Sequence, residues 1–185
     1  MHGLFTSCAK VKELNLKNFD TSNVKTMYAM FASCNSLESL DLSGFKTENV
    51  TDMSNMFNGT SKIKEIDLSN FNTSNVTTME AMFYGASELR KINISGLDTS
   101  KVESMKWMFG NGDDSVVPNV MNIEEIIGLE DLNVSNVKNM DRMFRHCHNL
   151  KNLDLHKWDV SNVTTMLQMF NSCTSLSNIN IKGLV

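Results

Sequence analysis

Two rhythms of apolar residues alternate along this chain, and the change from one to the other marks two kinds of segment. Leu37, Leu40 and Leu42, then Ile63, Ile66 and Leu68, then Leu150, Leu153 and Leu155, place an apolar residue at every second position over their last three residues. That spacing predicts a short strand with one buried face. After each strand comes a second set, Val24, Met27, Met30 and Phe31 in its first full occurrence, spaced by three, three and one. That spacing predicts about two turns of helix with one apolar face. Thr, Ser and Asn precede the segment, where side-chain oxygens can cap free N–H groups, so the helix is expected to start near Asn23 and its equivalents.

The two segments form a unit, and the unit repeats. TSNVKTMYAMF at 21–31 recurs at 47–57, 73–83, 99–109, 134–144 and 160–170. The aligned phenylalanines are Phe5, Phe31, Phe57, Phe83, Phe109, Phe144 and Phe170, each step being 26 residues except the 35 from Phe109 to Phe144. Residues 1–185 therefore read as a single array of about six to seven repeats, with an irregular insertion over 110–126 in the fourth. Neither a five-residue strand nor two turns of helix is stable alone, so neighbouring units must supply each other's core. The expected fold is an α/β repeat, a leucine-rich-repeat-like solenoid with one short parallel strand and one short helix per 26-residue repeat. Neither end carries an atypical polar unit of the kind that closes such arrays, and Met1 is itself in register with Met27, so the chain is expected to be an excerpt of a longer array.

Each column of the array is one environment sampled repeatedly. Twelve methionines fall in two columns beside the phenylalanines, from Met27 and Met30 to Met166 and Met169. Thioethers in a row could form an adaptable ligand groove or a soft-metal site, but they are also good filler for irregular cores, and the core is the expected role. Asn23, Asn49, Asn75, Asn136 and Asn162, interrupted by Lys101, suit the bracing of turn backbone between neighbouring units. Cys8, Cys34, Cys147 and Cys173 share a column with Thr60, Ala86 and Gly112, a slot for small side chains, which favours buried free thiols over disulfides.

Composition narrows the function. A formal charge of −4, with three arginines among seventeen basic residues, offers no basic face for phosphates, so nucleic acid is not an expected partner. No run approaches the ~20 apolar residues of a membrane span, so direct membrane insertion by this segment is not expected either. His146-Cys147-His148, with His156 nearby, resembles a metal cluster on paper, but an inward Cys147 would separate its ligands from the flanking imidazoles. No phosphate loop, nucleophile elbow or metalloprotease motif occurs, and no catalytic residue, metal or cofactor is expected.

The units LDLSGFKTENVTDMSNMFNG at 40–59 and IDLSNFNTSNVTTMEAMFYG at 66–85 resemble those of BspA-like leucine-rich-repeat surface proteins, in particular the mycoplasma-type lipoprotein repeat of unknown function. The resemblance spans essentially the whole chain. It implies a bacterial repeat array displayed outside the cell, extracellular or on the cell surface, with adhesion to a host or neighbouring-cell protein or glycan as its role. A stalk or spacer within a larger surface protein is the alternative. The repeat motif defines no ligand residues, so candidates come from exposure. The strand position that faces away from the core reads Asn15, Asp41, Asp67, Asn93, Gly128, Asp154 and Asn180, and Asp41, Asp67, Asn93 and Asp154 are the candidate contacts there. Asp113 and Asp114, in the insertion, are the rival site.

Overall fold

In the computed structural model, which describes residues 1–112 and 120–182, successive repeats pair with one another in parallel, but not with the predicted elements. β1 (Glu65–Asp67), β2 (Lys91–Asn93) and β3 (Glu125–Ile127) form one parallel sheet. β4 (Asn152–Asp154) and β5 (Asn178–Asn180) form another. Ile66 lies opposite Ile92 and Ile92 opposite Ile126, while Leu153 lies opposite Ile179. Each strand is three residues long, and in the first two repeats the equivalent segments form none.

The predicted helix does not form. Helical structure among the described residues is limited to one 3₁₀ turn, Leu129–Asp131, so the expectation of an α/β, leucine-rich-repeat-like solenoid with a helix in every repeat is corrected. The reason is visible in the segment from Met27 to Cys34. Ala29 (φ 52°) and Ser33 (φ 57°) lie in the left-handed region, as do Asn55, Ala81, Trp107, Arg142 and Gln168 at the first of these positions in later repeats. A left-handed residue cannot continue a right-handed helix. Alternate N–H groups then point in different directions. Those of Met30, Ala32 and Cys34 close tight turns onto Met27, Ala29 and Phe31, whereas those of Met27, Ala29, Phe31 and Ser33 donate to Asp52, Ser54, Met56 and Asn58 of the next repeat. Apolar spacing of three therefore came from consecutive tight turns. A chain of single-residue parallel bridges, Thr26 to Asp52, Thr78, Ser104, Asn139 and Thr165, runs beside them.

What the repeats bury agrees with the columns. Ten methionines from Met27 to Met143 in the two columns are fully buried, and at the last repeat Met166 is exposed. The phenylalanines from Phe5 to Phe170 stack continuously, with ring centroids 5.4–5.7 Å apart. Polar columns brace the backbone. Asn49, Asn75, Asn136 and Asn162 each donate an amide N–H to a carbonyl of the preceding repeat at 2.6–2.9 Å, and Lys101 instead reaches Asn75 Oδ1. Thr21, Thr47, Thr73 and Thr99, which the sequence suggested as helix caps, are buried, and their hydroxyls donate to carbonyls of the following repeat at 2.9–3.0 Å. All four cysteines are unpaired. The thiols of Cys34, Cys147 and Cys173 donate to Phe5, Phe109 and Phe144 carbonyls, and burial pushes Cys173 up to about 11.

Candidate functional site

The insertion does more than add a loop. Ile92 lies nine residues after Phe83, but its partner Ile126 lies seventeen after Phe109, so eight extra residues precede β3. The ninth follows it, because Leu132 stands six residues after Ile126 where Leu97 stands five after Ile92. That residue is taken up by Gly128, at φ 85°, and the 3₁₀ turn Leu129–Asp131. A side chain at Gly128 would come within 2.5 Å of the Ser95 backbone, so the turn needs glycine there on both counts. The outward strand column consequently passes through Ile127, the register partner of Asn93, and not through Gly128 as simple repeat spacing suggested.

The sheet breaks at this point. No ladder joins β3 to β4 among the described residues, although the bridges on the opposite side continue past it through Ser104, Asn139 and Thr165. Over the break lies an open groove of about 700 Å³. Its β3 side is Glu124, Glu125, Ile126, Leu129 and Glu130. The other side is built by Leu150 and β4, with Asn178, Ile179 and Asn180 of β5 beyond. Ile126 is half-buried and Ile179 exposed, so the floor offers apolar surface under an acidic rim. Glu124 and Glu125 face Arg90 at 3.3 Å and Lys91 at 3.1 Å, pairs that are solvent-exposed on both sides.

The residues singled out from sequence are distributed around this groove unevenly. Asp154 lines it. Asp67 and Asn93 are register partners and line a smaller groove of about 390 Å³ over β1 and β2, while Asp41 lines neither. Asp113 and Asp114 lie outside the described residues. Of the four that can be placed, all have a backbone task. Asp41, Asp67, Asn93 and Asp154 accept the N–H two residues ahead, from Ser43, Ser69, Ser95 and His156, at 2.9–3.2 Å. These bonds turn the chain out of the strand. Ser43 holds the Asp41 carboxyl below the ordinary carboxylate range, and Ser69, followed weakly by Asn93, does so for Asp67. At Asp154 the cause is His156, whose Nδ1 lies 2.6 Å away, and Asn180 donates a further bond at 2.9 Å. Asp41 and Asp67 thus each have turn donors to stabilise their charge.

Glu124, Glu125 and Glu130 were not singled out from sequence. The signal that could have found them is the unit itself, since positions that depart from a repeat are where a repeat protein acquires something its other units lack. The histidines behave differently from a metal centre. His146 and His148 rings lie 5.7 Å apart with Cys147 fully buried between them, and burial, followed by the nearby His146, lowers the His148 pKa. Among the described residues no three His, Cys, Asp or Glu side chains converge on a common point. No helix among them is long and apolar enough to cross a membrane.

These features define a repeat protein whose units pair in parallel through tight turns and whose 26-residue spacing is broken once, between Phe109 and Phe144. The family described as Mycoplasma protein of unknown function, DUF285, matches residues 1–121 and again 119–184, and the chain belongs to that family. The two matches overlap at 119–121, within the insertion. No curated protein matches the chain, and no solved structure does.

Proposed function

We propose that this chain is a non-enzymatic interaction module, displayed on or outside a bacterial cell, that binds an extracellular protein or glycan in the groove between β3 and β4. The observation that carries the reading is the groove itself, a concavity of about 700 Å³ where, among the described residues, the two parallel sheets are separated. Binding sites are concave, with apolar surface and a few polar groups, and this one has both. Its lining is Glu, Asp, Asn, Ile and Leu, with apolar surface beneath carboxylates suited to polar contact. Elsewhere the polar columns are occupied in closing turns and bridging repeats. The resemblance to BspA-like surface repeats supports the extracellular setting and the adhesive role.

A spacer within a larger surface protein is the second reading, favoured by the unbroken stack of seven phenylalanine rings. The experiment that separates the two is retention of matrix proteins and glycans on the immobilised chain, repeated with Asn152→Trp, which fills the groove from an exposed strand position. Saturable retention that falls with Asn152→Trp is expected. Retention of nothing would favour the spacer, and retention untouched by the tryptophan would place binding elsewhere.

A further inference from the structure

We infer that the occupant of this groove is an extended, lysine- or arginine-rich polypeptide segment that pairs with the bare strand edges of the break; the inference rests on the groove being a binding site at all. Three independent features converge on that chemistry. The first is charge. Glu124, Glu125, Glu130 and Asp154 line the groove and no basic side chain does. Glu124 and Glu125 are engaged only by exposed partners on β2 and its approach, and exposed pairs of this kind contribute little, so an incoming cation can replace them at small cost. Glu130 is within ion-pair distance of no basic side chain among the described residues, and the nearby Lys157, which feels its charge, is bonded to Asp131. Anionic ligands, including sulfated or sialylated glycans, would meet like charge.

The second feature is the backbone. Where strands pair, the residue before the later strand donates to the earlier repeat, as Arg90 N–H does to Lys64 and Ser177 N–H to Lys151. The residue after the earlier strand donates to the later one, as Leu68 N–H does to Asn93, Ile94 N–H to Ile127 and Leu155 N–H to Asn180. Neither bond exists between β3 and β4 among the described residues. The backbone donors and acceptors that other repeats use for each other are therefore not used between these two strands, and an extended peptide can satisfy such groups where a sugar does not. The third feature is the floor. Ile126 and the exposed Ile179 offer apolar surface beneath the acidic rim, so a strand alternating apolar and basic residues, with successive side chains on opposite faces, can meet both.

The probe is a labelled ten-residue peptide alternating lysine with valine, titrated into the purified chain by fluorescence anisotropy. It is compared with the same peptide carrying glutamate for lysine and with one N-methylated at alternate residues. Saturable binding of the lysine peptide, no binding of the glutamate peptide, and about tenfold weaker binding of the N-methylated peptide are expected. Glu125→Gln with Glu130→Gln should weaken the lysine peptide by about tenfold without moving the thermal midpoint. The N-methylated arm changes the ligand alone, so it decides the question even if the double variant folds poorly. Absence of binding by the lysine peptide, or binding indifferent to N-methylation, overturns the inference. If a glycan or an intact acidic protein is instead retained in a manner blocked by Asn152→Trp, the groove remains the site and only the proposed occupant fails.

Discussion

At the scale of single residues, position in the stack decides what a substitution costs. Phe57 is fully buried, with Phe31 5.7 Å away on one side and Phe83 5.5 Å on the other. Truncating it to alanine removes contacts within its own repeat and with both neighbours, so Phe57→Ala is expected to cost roughly 3–5 kcal/mol in denaturant unfolding. Phe5 is half-buried and stacks on Phe31 alone among the column, and Phe5→Ala should cost clearly less. Equal costs would contradict a stack whose members depend on two neighbours. The aspartates give a second expectation. Asp41, Asp67 and Asp154 have carboxyls lowered by their turn donors, so their contribution is complete above the unfolded value near pH 4 and disappears as pH falls through the lower native value. Thermal midpoints should therefore decline below about pH 4. Asp67→Asn keeps the turn, as Asn93 does in the next repeat, and should flatten that acid limb while leaving the neutral-pH midpoint nearly unchanged. An acid limb as steep in the variant as in the parent would show that the turn carboxylate does not carry it.

At the scale of elements, the columns were legible and the backbone between them was not. The repeat length, the buried methionine and phenylalanine columns, and the asparagine braces all followed from spacing, because periodic burial is written directly in residue type. The helix did not, because spacing of three is produced equally by a helical turn and by consecutive tight turns. The distinguishing signal is backbone handedness, and most residues at these positions, such as Ala29, Ala81 and Trp107, carry no side-chain mark of it. Gly59 and Gly85 did hint at it, as positive-φ residues at the position that is serine in Ser33. The strand column had the same weakness: register past the insertion was shifted by one residue, moving Ile127 into the place assigned to Gly128. A substitution separates the two backbones by its sign. In a helix Ala81→Gly would destabilise by about 1 kcal/mol. At φ 51° alanine is itself strained, so the same change should leave stability unchanged or raise it by up to about 1 kcal/mol. A loss near 1 kcal/mol, measured by denaturant unfolding, would restore the helix.

At the scale of the whole molecule, regularity supplies stability and its interruption supplies the proposed site. Parallel bridges, phenylalanine stacking and threonine braces recur from repeat to repeat, so each unit stabilises its neighbours and offers a ligand little that the next unit does not also offer. The groove differs from the other inter-repeat positions in having one residue more than the common spacing between β3 and β4, beside the separation of the two sheets. That origin makes the site removable by design. Deleting 113–120 returns the segment before β3 to the common length while leaving the turn at 128–131 and the groove in place. Deleting Glu130 as well restores the 26-residue spacing through to β4. The decisive measurement is retention of a bound extracellular partner by these two deletion variants, each checked for cooperative unfolding. Binding kept after the first deletion and lost after the second is the predicted result; loss already at the first would move recognition to the insertion around Asp113 and Asp114, and persistence through both would contradict a site built on the break.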